Sequence, residues 1–423
     1  MLEMKKYKLS EIASFIGSGM TPLRSNENYW NSKDYPWLKT EQLGEYQIFD
    51  TSEYISKVAL EETNLKLFPK NTLSVAMYGE GKTRGNVSIL AEQMTTNQAC
   101  CNIIVDNKFA NYKFVYYWLK NSYYKLRSLS SGIRNNLNSE DIKKFEINLP
   151  SLPTQQKIAA VLSSLDDKIA LNKKINAKLE AMAKRLYDYW FVQFDYPDKN
   201  GKPYKTSGGK MVWNEVLKRK IPKGWKVVEM SSVIKQINTG LNPRDNFILG
   251  NGKIKYVTVK NLTEEGHIDF SNCDLVNSEA QKIIHERSQI QKGDILFASI
   301  CPLGRCYLIQ DSPEDWDINE SVFSIRPNID KITSEFLYTL LREAYYVKKM
   351  TQKATGSIFK GIIINDIEKI EIVLPPKEVI NAFSKKTLPI FNYQLTIQKE
   401  IQKLTDLRDR LLPLLMNGQV ELE

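Results

Sequence analysis

The sequence predicts an α+β chain in which one mixed α/β domain is written twice and two long helices, packed on each other as an antiparallel coiled coil, separate the copies. Three observations predict this. Residues 1–152 recur in order within 222–376, a seven-residue apolar rhythm follows each copy, and a Pro- and Gly-rich stretch joins the first rhythm to the second copy. The expected organisation is therefore domain 1–152, helix 153–194, linker 195–221, domain 222–376 and helix 377–423.

The duplication is legible by alignment. Trp37–Leu43 lines up with Tyr256–Leu262, Phe68–Leu73 with Ile290–Ile295, and Asp141–Pro150 with Asp366–Pro375. The shift between copies grows by only a few residues, as insertions in surface loops would produce. A period this long marks a duplicated domain, since solenoid repeats recur every ~20 to 50 residues. Within each copy, Leu73–Met77 and Asp294–Ala298 read as buried strands, as do Ile103–Val105 and Val322–Ile325. Phe114–Leu119 and Phe336–Leu341 carry apolar groups at helical spacing.

The first long helix starts near Thr154, a candidate cap, and places Val161, Leu165, Ile175, Leu179, Met182, Leu186 and Tyr189 on one stripe that also carries Lys168 and Asn172. The second runs through Ile390, Gln394, Ile397, Ile401, Leu404, Arg408, Leu411 and Leu415, with a kink expected at Pro413. The alternative is that each helix covers only its own domain. Between them, Asp195–Pro203 and Ser207–Lys210 carry the punctuation of a linker that reverses the chain.

Composition narrows the function. The 423 residues are 42% hydrophobic and 26% charged, an ordinary globular balance, with no signal peptide and no apolar run long enough to span a bilayer. Five cysteines, without a C-x-x-C pair, argue against a disulfide framework or zinc ribbon and for a reducing cytoplasm. The net charge of +10 points to nucleic acid. Its distribution is uneven, with 14 basic against 7 acidic residues in 151–220 and 19 against 16 in 1–150.

Motifs for catalysis fail on context. Ala76 with Gly81-Lys82-Thr83 resembles a phosphate loop, but that loop must open into a helix and Arg84–Leu90 reads as turn then strand. Gly17 and Gly19 are followed by Thr21-Pro22 rather than a helix, and no Asn/Asp-Pro-Pro-aromatic tetrapeptide accompanies them, so a turn is the better reading than a methyl-donor site. His267 and His285 lack metal-ligand spacing. No catalytic or metal residue is assigned. What remains is a set of cationic and amide-bearing loops at matched places: Lys82, Thr83, Arg84 and Asn86 against Gly304-Arg305, and Arg134, Asn135 and Asn136 against Lys360. Arg can pair with guanine and Asn with adenine in the major groove. The alternative is that they are solvated loop charges.

These features resemble the specificity subunits of type I restriction-modification systems. The residues that carry the likeness are Leu149–Ala159, Leu165–Ile169, Asn176–Ala183, Trp190–Asp195 and Ile221–Trp225, then Leu407–Pro413 and Met416–Gly418. The second helix departs from the first in starting Pro375-Pro376-Lys377-Glu378-Val379, without glutamine. The resemblance implies two target recognition domains that each read half of a bipartite double-stranded DNA site. It implies helices that set the spacer and dock two methyltransferase subunits, with Leu165, Ile175, Leu179, Leu186, Ile397, Ile401, Leu404 and Leu411 as the seam. It further implies restriction/translocase subunits in a full complex, with S-adenosylmethionine, ATP and Mg on the partners and no cofactor on this chain. A non-catalytic adaptor whose repeats bind protein or RNA is the alternative.

Overall fold

A computed structural model describes residues 3–79, 81–129, 136–356 and 360–420. The chain divides into two compact units, residues 1–172 with 400–423, and 173–399. Each unit thus owns one repeat and part of both long helices. No described helix is long and apolar enough to cross a membrane.

In the first unit the strands are β1 (Lys5–Lys8), β2 (Ala13–Ser18), β3 (Tyr35–Leu38), β4 (Gln47–Ile48), β5 (Glu53–Ile55), β6 (Leu73–Ala76), β7 (Val87–Leu90), β8 (Thr95–Thr96), β9 (Cys100–Val105) and β10 (Glu146–Leu149). A five-stranded sheet runs β2-β9-β6-β7-β4, a three-stranded sheet β5-β3-β8, and β1 pairs with β10. The helices are α1 (Leu9–Ile12), α2 (Lys57–Glu62), α3 (Tyr112–Asn121), α4 (Tyr123–Ser128), α5 (Ser139–Lys144) and the long α6 (Leu152–Tyr187). Strand β6 alternates across two cores. Leu73 and Val75 face α3, with Phe114, Val115 and Tyr116, while Ala76 joins Leu38, Phe68 and Leu90. Asn111 caps α3 by accepting from the amides of Lys113 and Phe114.

The second unit repeats this topology. Its strands are β11 (Met211–Asn214), β12 (Arg219–Pro222), β13 (Lys226–Glu229), β14 (Ile234–Thr239), β15 (Ile254–Val257), β16 (Asp274–Val276), β17 (Ile295–Ala298), β18 (Cys306–Leu308), β19 (Trp316–Ile318), β20 (Val322–Pro327) and β21 (Glu371–Leu374). The sheet β14-β20-β17-β18 matches β2-β9-β6-β7, β16-β15-β19 matches β5-β3-β8, and β13-β21 matches β1-β10. Helices α7 (Ser278–Ser288), α8 (Ser334–Leu341), α9 (Ala344–Lys353) and α10 (Ile364–Glu368) precede the long α11 (Lys377–Met416). The predicted strands and helices of both copies are present. Gly19 and its counterpart Gly240 show why the turn after β2 and β14 needs glycine. A Cβ on either would lie about 2 Å or less from the Thr96 or Ile318 carbonyl oxygen.

Two details of the long helices differ from the expectation. Helix α6 starts at Leu152, and Ser151 rather than Thr154 caps it by accepting from the Thr154 amide at 3.4 Å. Pro153 fits because a first-turn residue needs no N–H partner. The buried stripe of α6 and the turn after it lies one position beyond the predicted one, through Leu162, Asp166, Ile169, Asn176, Ala183, Tyr187 and Trp190, with Asn172 buried on the predicted stripe itself. Leu165, Ile175, Leu179 and Leu186 are half-buried, whereas Met182 and Tyr189 are exposed. On α11 the stripe falls as predicted, with Gln394, Ile397 and Leu415 buried and Ile401, Leu404 and Leu411 half-buried; the helix continues through Pro413 to Met416. The reason for the shift is chemical. Asp166 is buried, and Asn172 on the predicted stripe with it, because polar groups of α11 meet them, which an apolar pattern cannot register.

Those polar groups pair the helices antiparallel within each unit. In the first, the Arg408 guanidinium donates to Asp166 at 2.7 Å and Asn172 donates to Glu400 at 2.9 Å. In the second, Gln394 donates to the Asn176 carbonyl and to Glu180, while Tyr187 and Phe191 pack on Phe383. As the α6 number rises, the α11 number falls. A π-turn over Asp188–Val192 ends the first helical run and buries Trp190 and Phe191.

Candidate nucleic-acid interface

In the first unit the site grows from the C-terminal end of β6. The chain leaves Ala76 in the loop 77–86 and returns in β7, closed by Ala76 N–H donating to the Asn86 carbonyl and Gly85 N–H to the Ala76 carbonyl, each at 2.9 Å. Leu137, at the end of the second predicted loop, donates to the Met77 carbonyl at 3.1 Å, so both loops converge on this strand end. Helix α4 fixes the first loop. The Arg127 guanidinium donates to the Gly81 and Arg84 carbonyls at 2.9 and 2.8 Å, and the Tyr123 hydroxyl donates to the Lys82 carbonyl at 2.7 Å. Gly85 has φ +87°, and a Cβ there would sit 2.9 Å from Arg127 Cγ, so glycine lets the loop lie on α4.

Loop and helix enclose an open cleft of about 540 Å³ lined by Lys82, Asn86, Lys120, Tyr123, Tyr124 and Arg127 among others. Lys82 is exposed at its rim, and Tyr124 is 83% exposed. The Lys120 ammonium is held below its ordinary pKa by burial, opposed by the charge of Asp166, and lies 3.4 Å from the Tyr116 hydroxyl. Asn86 is not free to reach outward, because its side-chain amide donates to the Leu43 carbonyl at 3.2 Å. Thr83 closes the turn through its carbonyl, which accepts from the Asn86 amide. Arg84 and Asn136 are half-buried, and Arg134 and Asn135 lie outside the described residues.

The second unit builds the same place with other side chains. From Ala298 at the end of β17 the loop 299–305 returns in β18, closed by Ala298 N–H to the Arg305 carbonyl at 3.0 Å. Ser299 accepts from Ile362, and Cys301 donates to the Lys360 carbonyl, each at 2.8 Å, so here too the two predicted loops meet. Gly304, φ +93°, packs against Val347 of α9 as Gly85 packs against α4. By backbone pairing Arg305 is the counterpart of Asn86. Its guanidinium lies 3.6 Å from Glu264, while Lys360 is exposed. Lys349 stands over the Tyr345 ring at 5.0 Å, as Arg127 stands over Tyr123 at 5.3 Å.

A sequence model of the type I restriction modification DNA specificity domain matches residues 1–181 and 222–407. The chain belongs to the type I restriction-modification specificity family. It is 30% identical over 422 residues to the type I restriction enzyme MjaIX specificity subunit of Methanocaldococcus jannaschii, covering 98% of this chain and 93% of that one. It is 27% identical over 351 residues to the HindI specificity subunit of Haemophilus influenzae, covering 70% and 74%. The fold resembles the solved S subunit of a type I system from M. genitalium, with a TM-score of 0.58 at 18% identity over 98% of this chain and 96% of that one.

In this member of the specificity family, Lys120, Tyr123, Tyr124 and Arg127 belong to the cleft but were missed from sequence. A signal existed. Tyr123-Tyr124 precedes Arg127 as Tyr345-Tyr346 precedes Lys349, an aromatic pair and a cation repeated in both copies. The histidines make polar contacts within the second unit. His285 Nδ1 lies 3.1 Å from buried Asp317, and His267 accepts on Nδ1 from Gln398 of α11, its pKa lowered mainly by burial. Among the described residues no cluster of three His, Cys, Asp or Glu could hold a metal ion.

Proposed function

We propose that this chain is the DNA-recognition subunit of a type I restriction-modification complex, acting in the cytoplasm, each unit reading one half of a bipartite target. The observation that carries the reading is that the same pair of loops meets at the same strand end in both units, on equivalent backbone hydrogen bonds, with different side chains. A shared scaffold with divergent tips suits two unlike half-sites. Lys82 and Lys360 stand exposed as phosphate-type charges, and Arg127 and Tyr123 hold the first loop in shape. The long helices set the spacer and present Leu171, Met182, Tyr393 and Leu407, each about half exposed, to two methyltransferase subunits. Restriction/translocase subunits complete the full complex. Methyl transfer, ATP use and cleavage belong to the partners, which carry S-adenosylmethionine, ATP and Mg.

The test is methylation and DNA binding by the complex assembled with its methyltransferase subunits. Lys82→Ala and Arg127→Ala should affect only the half-site read by the first unit, and Arg305→Ala and Lys360→Ala only the other. A lost base contact costs about 1 to 3 kcal/mol and relaxes one position, whereas a lost phosphate contact weakens all sequences alike. If all four substitutions left affinity and site preference unchanged, these loops would not be the readers.

A further inference from the structure

The segment 195–221, read from sequence as a linker, folds within the second unit as two hairpins on an aromatic floor. In the first, Tyr196 stacks on Tyr204 at 4.8 Å, and the Asp198 carboxylate accepts from the amides of Asn200 and Lys202 at 2.8 and 2.9 Å. The second is β11 paired with β12, in register from Met211↔Pro222 to Asn214↔Arg219. Asp195 closes the base of the first by accepting from the Thr206 amide at 2.8 Å and hydroxyl at 2.6 Å, and the Tyr204 hydroxyl donates to the Lys210 carbonyl before β11 at 2.9 Å. Arg219 lies between the rings of Phe194 and Tyr345, 5.5 Å from each. The scaffold is ordered on its inner side.

Its outer side is strongly cationic. Residues 195–223 hold eight basic residues and three acidic ones, of which Asp195 and Asp198 accept from backbone amides of the first hairpin, against a net charge of +10 for the whole chain. All seven lysines of the stretch are exposed, and among the described residues only Lys218 has a carboxylate within reach, Glu215 at 3.1 Å. Trp213 is 54% exposed and is the register partner of Lys220. Holding like charges on a fixed backbone is unfavourable unless something anionic completes them.

We propose that this double hairpin is a second DNA contact, distinct from the reading loops, that grips the phosphodiester backbone without regard to sequence. It rests on the DNA-binding reading above. Lysine is depleted from protein–protein interfaces, yet as a compact point charge it suits phosphates. Exposed tryptophan adds an apolar face to be covered on contact.

The experiment is equilibrium binding of the methyltransferase complex to cognate and unrelated duplexes at several salt concentrations. The variant carries Lys202→Gln, Lys205→Gln, Lys210→Gln and Lys220→Gln, all on exposed side chains, beside a control with arginine at the same four positions. If each lysine neutralises one phosphate, the slope of log affinity against log salt falls by about 3.6 in the glutamine variant, at ~0.9 per contact. A fourfold rise in salt should then weaken wild type roughly 150-fold more than the variant. Cognate and unrelated DNA should lose affinity by the same factor, the methylated sequence should stay unchanged, and the arginine control should keep the wild-type slope. An unchanged slope with intact sequence preference would overturn the proposal while leaving the reading loops standing. So would unchanged DNA binding with lost assembly, which would place an acidic protein surface on the hairpins. Failure of the wild-type complex to bind DNA at all would instead sink the recognition function and this site with it.

Discussion

Removing one member of the buried ion pair at Asp166 should cost the first unit several kcal/mol, and removing both should cost little. Asp166 is 2% exposed and accepts from the Tyr117 hydroxyl and the Arg408 guanidinium, both at 2.7 Å. Breaking a buried pair from one side costs about 3 to 5 kcal/mol, because a charge is left in a dry site. Asp166→Ala belongs near the lower end, about 3 kcal/mol, since Arg408 keeps Asp409 at 2.7 Å and its side chain is 14% exposed. Arg408→Ala belongs nearer the upper end, because the carboxylate it strands is deeper and, among the described residues, keeps one hydrogen bond, from Tyr117, with the Lys120 charge nearby. The double variant Asp166→Leu/Arg408→Met, combined with Tyr117→Phe to remove the stranded hydroxyl, should recover most of the stability. For a unit of this size about 3 kcal/mol is roughly 6 to 12 °C of melting temperature. Calorimetry of the full chain, reading the first unfolding transition, measures it. A single-variant loss below about 1 kcal/mol, or losses that simply add in the double variant, would refute the argument that desolvated charge holds this helix pair.

Lengthening α6 by four residues after Asn176 adds about 6 Å and about 1.1 turns, so the stripe almost keeps its face. Methylome sequencing should then find the same two half-sites with a spacer longer by one or two base pairs; new half-site bases at an unchanged spacer would count against helices as the ruler. Burial holds His267 below its ordinary pKa, so the unfolded chain takes up this proton first as pH falls. Stability from the neutral His267–Gln398 contact is therefore complete above pH ~6.5 and lost on the way down. Between pH 7.5 and 5.5 the melting temperature of wild type should fall further than that of His267→Gln, and equal losses would show that the histidine is not the titrating group.

The duplication, the mixed sheet-and-helix character of each copy and the existence of two long helices were all written in the sequence alone. They rest on local periodicity and on self-similarity, which survive in one dimension. The α11 stripe was readable for the same reason, its buried face being mostly aliphatic. The α6 stripe was off by one residue at most positions, because Asp166 is interior through partners distant in sequence, Tyr117 49 residues away and Arg408 242 residues away. Pairing across such distances is decided by the fold. The candidate site divides in the same way. Lys82 and Lys360 could be picked as exposed loop charges, but that the two predicted loops of each copy meet at one strand end required the strand register. That Asn86 is spent on the Leu43 carbonyl required it too. The stretch 195–221 is the sharpest case. Its Pro and Gly punctuation reads as a linker that reverses the chain, and only the stacking of Tyr196, Tyr204 and Trp225, with Arg219 beside two rings, makes it a packed surface. Aromatic burial that is scattered in sequence and gathered in space leaves no period to read.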